Sequence, residues 1–397
     1  MAETEDDART LEGLPPGHPR AAFYPASPFG EEAPGIPTGR DVEWEPLVDY
    51  RRNGVSETTI HGAVAWASGD EVVHSFGGNV LCYGRSMMKP LMIKVFADVL
   101  EPVLDWRQKA IAVSSHNGDA QHVAAATSIL AEEDRAYMKT PLDVPLVQFG
   151  RQVRRPRRWF HTCSGEHAAI VRGCLEKGWD PVGYQLPHHP FFRAYLEQVR
   201  RFLGPDWEPK RVARDGCGLP TMSNTVSDLA TLFAGLARVR DEDWIWEAMH
   251  RHPDLVGGFN RLDSTILKSS GGAVLAKEGA DGLLGLAVVH DDFPEGLGVV
   301  VKVAHGWNPQ ATWYVARGIL GSLGFRLRNP YPLHRQTAFL VPGIVPDDRR
   351  AALARIPTWD PWSPLRDRWF FDWRKWADAG DPAAAAEPRE EEGAWTP

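Results

Sequence analysis

The stretch Arg85-Ser86-Met87-Met88-Lys89-Pro90 decides how this chain is read, because it spaces a hydroxyl and an amine as a nucleophile and its base need to be spaced. With a helix beginning at Ser86, Lys89 lies one turn later on the same face, where its neutral amine can take the Ser86 proton. Amide-hydrolysing chemistry is the expectation. Taken alone the pattern is weak, since serine, any two residues and lysine meet often by chance. The bland alternative makes Ser86 a helix cap and Lys89 a solvent-facing stem.

Other segments add weight. Ser115-His116-Asn117-Gly118 follows the apolar run Ile111-Ala112-Val113, read as the end of a buried strand opening into a loop, where reactive groups are commonly presented. His161-Thr162-Cys163-Ser164-Gly165-Glu166-His167 precedes Ala168-Ala169-Ile170-Val171, and Asp215-Gly216-Cys217-Gly218-Leu219-Pro220 is a Gly-rich turn carrying a thiol. Ala276-Lys277-Glu278-Gly279-Ala280-Asp281-Gly282 places a further lysine at a turn before the core strand Leu283 to Val289. Polar groups thus gather at punctuated junctions.

With 397 residues and 43% hydrophobic content the chain can bury a large core. A formal charge of −8 gives no support to nucleic-acid binding. The run Arg151 to Arg158 is the basic exception, read as a solvated loop before an acidic-partner site. No apolar stretch reaches the ~20 residues that span a bilayer, so no membrane partner is expected. The acidic start Met1 to Asp7 is unlike a secretory signal, which points to a cytoplasmic protein. Cys82, Cys163, Cys174 and Cys217 are too few to staple a chain of this size, leaving free thiols or a metal site.

Residues 1–45, rich in Pro, Gly and acidic side chains, are read as a loosely packed leader, and 46–328 as the catalytic domain. Within it, 58–67 and 71–76 form a hairpin, 89–103 a buried helix, 118–132 a surface helix and 227–240 an amphipathic helix, with strands near 283–305 and 313–316. Pro187 and Pro190 around His188 and His189 make a rigid lead-in to a helix from Phe191, a reading preferred to a metal role for the two histidines. A Pro/Trp-rich extension at 329–380, with Trp359, Trp362, Trp369, Trp373 and Trp376, is expected to pack its rings on the core, ahead of a disordered tail at 381–397.

Taken in this order over roughly residues 46 to 318, the segments resemble the L-asparaginase II family of the rhizobial, thermolabile type. The likeness rests on Arg85-Ser86-x-x-Lys89-Pro90, Ser115-His116, Cys163-Ser164-Gly165-x-His167, Leu186-Pro187-x-His189-Pro190, Asp215-Gly216-Cys217-x-Leu219-Pro220 and Lys277-x-Gly279-Ala280-Asp281-Gly282. It implies an α/β chain of mixed α+β, serine-β-lactamase-like fold, with a central, largely antiparallel sheet flanked by helices. It also implies a homodimer that hydrolyses L-asparagine to L-aspartate and ammonia. Ser86 and Lys89 match the nucleophile and its base, and Ser115 and Lys277 a second serine and lysine. Arg85, His116 and Asp215 match the substrate pocket; asparagine brings both an α-carboxylate and an α-ammonium for such charges to meet. Both lysines are expected to be partly neutral, through burial and mutual repulsion.

Cys163 and Cys217 match two zinc thiolates. The family's third ligand is a lysine, and here Glu166 stands in its place, able either to bind zinc itself or to leave the site metal-free. The exchange of a cation for an anion also admits a different small amide as substrate, or a ligand-binding relative without catalysis. A penicillin-recognising enzyme would share Ser-x-x-Lys, but the chain has no Ser-Asp-Asn or Lys-Thr-Gly.

Overall fold

A computed structural model describes residues 37–52, 55–142, 157–328 and 337–356. Most of the leader, the bulk of the basic run and the five tryptophans of the extension lie outside the described residues.

Ten strands organise the described chain: β1 (Glu45–Arg52), β2 (Val55–Ser68), β3 (Glu71–Phe76), β4 (Leu81–Tyr83), β5 (Val212–Arg214), β6 (Pro220–Thr225), β7 (Val274–Gly279), β8 (Leu283–His290), β9 (Phe293–Val303) and β10 (Thr337–Leu340). Seven build one antiparallel sheet in the order β10-β1-β2-β9-β8-β7, with β3 on the β1 edge of β2. The expected hairpin is β2–β3, closed at Ser68↔Glu71 over the left-handed Gly69. A second, three-stranded sheet runs β4-β6-β5. The fold is mixed α+β, a large antiparallel sheet flanked by helices, as the resemblance implies.

Side-chain alternation sorts the large sheet into two cores. Val64 and Trp66 of β2 join Leu284, Leu286, Val299 and Val301 against the Pro309–Ser322 helix. Ala63, Ala65 and Ala67 face the other way, toward the Val226–Arg238 helix and a mostly helical lobe. Lys277 stands two residues after Leu275, which belongs to that second core, so the strand period delivers its amine to the side where the lobe lies.

Several expectations are corrected. Ile111-Ala112-Val113 does not end a strand: Trp106–Ala112 is a helix, set by a capping box between Asp105 and Gln108. Residues 313–316 lie inside the Pro309–Ser322 helix, whose first turn Asn308 caps and Pro309 preorganises. Residues 89–103 form two short helices, Lys89–Lys94 and Ala97–Leu100, and the surface helix is shorter than expected, at Ala120–Ser128. Lys277 sits within a strand, not at the turn that follows. His189 does serve the helix start, its Nδ1 accepting from Phe191 N (3.1 Å) and its Nε2 meeting Asp180 O (2.8 Å).

Candidate active site

Ser86 rides on a 3₁₀ turn, Arg85–Met88, that runs directly into the Lys89–Lys94 helix. The turn opens on Arg85 at φ 51°, a conformation that L side chains rarely adopt and that costs roughly 1–3 kcal/mol. Ion pairs of its guanidinium with Asp215 and Asp281, and a bond from its N–H to Thr221 Oγ1 (3.3 Å), hold it there. Arg85 and Asp215 are therefore ion-paired neighbours. Asp215 opens the β5–β6 turn, closed by Gly218 N donating to Asp215 O (2.8 Å). Gly218 has φ 97°, and the bend swings Cys217 inward.

The second thiol, Cys163, stands immediately before the Ser164–Glu176 helix, at its N-cap position. A Cβ at Gly165 would stand 2.1 Å from Ile111 O, so only glycine lets this helix start come so close to the neighbouring segment. Close approach places Cys163 Sγ 3.9 Å from Ser86 Oγ. Cys217, with Lys89 and His161 beside it, favours the Cys163 thiolate, and Cys163 together with burial pushes Cys217 up.

Lys89 is 1% exposed. Its Nζ donates to Ser114 O, pairs with Glu166 Oε2 at 3.2 Å and faces Cys163. Burial favours the neutral amine, but Cys163, Glu166 and Cys217 outweigh it and raise the proton affinity of Lys89 above the ordinary lysine value. Burial works toward the neutral amine that the sequence reading expects, and the acidic groups around Lys89 work against it. Burial in turn pushes Glu166 up to about 8, against the pull of Lys89.

Lys277 is wholly buried and uses all three of its hydrogens. It donates to Ser115 Oγ (2.9 Å), Asp263 Oδ2 (3.2 Å) and Glu278 O (2.9 Å), the full complement of an ammonium. Its proton affinity is lowered, first by burial and then by Lys89 and Arg261, with Asp263 opposing. Ser115 is held by its N–H on Val256 O (2.8 Å) and by Arg261, whose Nη1 donates to Ser115 O (2.9 Å) while its Nε pairs with Glu278 (2.9 Å).

His116 is fully buried with both ring nitrogens engaged by protein, Nδ1 accepting from Gly118 N (3.0 Å) and Nε2 facing Ser164 Oγ (2.9 Å). Burial, with His122 and Lys89 nearby, keeps it neutral. These bonds brace the Ser115 loop against the Ser164–Glu176 helix. Sequence reasoning missed Asp263, Arg261 and Glu278. The legible signal was Asp263 itself, a carboxylate on the buried face of a helix beside Leu262, Ile266 and Leu267.

The Cys163 and Cys217 sulfurs and a Glu166 carboxylate oxygen, all buried, lie within 4.8 Å of one another. Tetrahedral zinc spaces its ligand atoms about 3.5 Å apart and takes thiolate and carboxylate donors, so this set fits the ion. Nearby, Ser114 Oγ and His167 Nε2 are buried without a protein partner.

A serine hydroxyl beside a thiol, one helical turn ahead of a buried lysine, and a second buried lysine bonded to a second serine are the equipment of an amide-hydrolysing enzyme. The chain belongs to the L-asparaginase II family: the family's model matches residues 48–341, placing the protein among the amidohydrolases. Among curated proteins none matches the sequence. Solved structures similar to it include a probable glutaminase from Bacillus subtilis complexed with 6-diazo-5-oxo-L-norleucine, at 14% identity and TM-score 0.29, covering 62% of this chain and 78% of that one. Another is the covalent complex of a Bacillus subtilis glutaminase with 5-oxo-L-norleucine, at 12% identity and TM-score 0.26, covering 69% and 87% respectively. The family assignment rests on the sequence match. Among the described residues no helix is long and apolar enough to cross a membrane.

Proposed function

We propose that the protein hydrolyses the side-chain amide of a small amino acid, with L-asparagine as the first candidate, through an acyl-enzyme on Ser86. The observation that carries this reading is the convergence of Lys89, which follows the Ser86 turn and bonds Ser114 O, and Lys277, which bonds Ser115 Oγ, on two adjacent residues. Ser86 Oγ attacks the amide carbon and its proton passes to Lys89, which accepts it in its neutral form. The C–N bond breaks as Ser115 gives its proton to the leaving nitrogen, and Lys277 restores the Ser115 hydroxyl. Water then hydrolyses the ester, giving one proton to Lys277, while Lys89 returns its proton to the departing Ser86 oxygen. Arg85 and Asp215 supply charges of opposite sign for the substrate's α-carboxylate and α-ammonium.

Cys163, Glu166 and Cys217 would hold zinc, with one Glu166 oxygen left for Lys89. Zinc bound there would supply positive charge that offsets the thiolates and carboxylate and so weakens their pull on the Lys89 proton. A homodimer in the cytoplasm remains part of the reading, supported by the family likeness and by the exposed aromatics Phe259 and Trp307.

The test is ammonia release from a panel led by L-asparagine and L-glutamine, with wild type beside Ser86→Ala. Release that depends on Ser86 is expected. A second reading, a ligand-binding relative, draws on one observation: Lys89 is engaged by Glu166 and Ser114 O. Binding without turnover across the panel favours it.

A further inference from the structure

Behind the second serine and lysine stands a group without a counterpart in the sequence motifs. Asp263 is 0% exposed, in the second position of the Leu262–Ser269 helix, with Oδ2 3.2 Å from Lys277 Nζ. Its Oδ1 accepts from Ser264 N (2.9 Å), and Ser264 Oγ in turn accepts from Gly257 N (3.1 Å) and Gly258 N (2.9 Å). Asn117 N donates to Gly257 O (2.9 Å), so the carboxylate is tied to the loop that carries Ser115. One buried line of contacts runs Ser115 Oγ, Lys277 Nζ, Asp263 Oδ2.

We propose that Asp263 is the positioning residue of this line: its carboxylate holds Lys277 as an ammonium aimed at Ser115 Oγ, ready to restore the proton that Ser115 gives to the leaving nitrogen. The inference rests on the amidohydrolase reading above. Because Lys277 donates to Ser115 Oγ, the Ser115 hydrogen is left to point elsewhere, toward the departing group. When that hydrogen leaves, one N–H of Lys277 crosses to Ser115 Oγ, and the amine that remains is neutral beside the Asp263 anion. Water hydrolysing the acyl-enzyme returns the proton.

The charged groups facing Lys277 are Asp263 and Arg261 at the start of the Leu262–Ser269 helix, Lys89 beyond the Ser86 turn and Glu278 on its own strand. Its partner across β8 is Gly285, and His116 on the Ser115 segment is neutral. Among them, Asp263 is the anion in contact with Nζ. Burial, Lys89 and Arg261 all press the amine to release its proton, which suits an acid, and the Asp263 carboxylate opposes them.

The experiment uses the full chain, with Asp263→Asn and Asp263→Glu beside wild type. The pH dependence of ammonia release is measured together with the Lys277 titration, from lysine side-chain carbon NMR assigned with Lys277→Arg. In D263N, kcat falls about a hundredfold with KM within about threefold of wild type. The limb on which activity is lost with rising pH moves to lower pH, as does the Lys277 midpoint, because the anion favouring the ammonium is gone. D263E keeps the charge and shifts it, so its limb stays near the wild-type pH while kcat falls. A D263N protein with the wild-type limb and Lys277 midpoint overturns the proposal; should D263N not fold, a D263E kcat equal to wild type does so. If wild type releases no ammonia but the Lys277 midpoint still falls in D263N, the amidohydrolase reading fails while the hold of Asp263 on Lys277 stands.

Discussion

Lys89 and Glu166 are each nearly without exposed surface and form an ion pair at 3.2 Å. Removing one member of a buried pair strands the other, which costs about 3–5 kcal/mol unless the survivor can change its protonation. Glu166 can: burial has already pushed it up to about 8, so it accepts a proton when the cation goes. Lys89→Met is therefore expected to fold, with a denaturation midpoint near wild type, and to lose acylation by at least about a hundredfold, read as the burst of product in single turnover. A variant of near-normal rate would remove Lys89 from the mechanism. The thiols give a companion expectation. Cys217→Ser should lower the zinc content of purified protein, measured by elemental analysis, and an unchanged content would place any metal elsewhere.

At the scale of elements, the site depends on how closely the Ser164–Glu176 helix start approaches Ile111. Gly165→Ala puts a methyl against a carbonyl that belongs to the backbone and cannot rotate away. It should cost about 3 kcal/mol, seen in a urea melt, with loss of activity as Cys163 and Glu166 move off the Ser86 turn. Much of this level was legible in the sequence. Period-2 patterning marked β2 and β3, and punctuated Gly and Pro residues marked the turn that bears Cys217. The helix ending at Ala112 was misread because its apolar run Ala110 to Val113 carries no period of its own; the deciding signal lay upstream, in Asp105 and Gln108. Motifs located Ser86, Lys89, Ser115 and Lys277, but not what surrounds them. That both lysines would be ringed by acceptors, and that His116 would spend both nitrogens on scaffolding, depend on contacts between distant segments that no local pattern records.

For the whole molecule, the described chain extends past the helical lobe to β10, which pairs with β1 through Val48↔Leu340 and so ties the far end to the beginning of the sheet. Phe259 and Trp307 remain outside both cores, 79% and 65% exposed. If they meet a second copy, light scattering after size exclusion should give twice the 44.2 kDa of the chain, and charged replacements at both positions should return it to the single mass. A single mass for wild type would leave the two rings without that role.

The Ser115–Lys277 contact spans 162 residues of chain. Closing so long a loop is slow, and β7 emerges from the ribosome well after Ser86, Lys89 and both thiols. Until then Ser115 has no lysine to pair with. On the proposed mechanism the nascent polypeptide would therefore stay inert until β7 joins the sheet, because the partner of Ser115 is made long after the rest of the site.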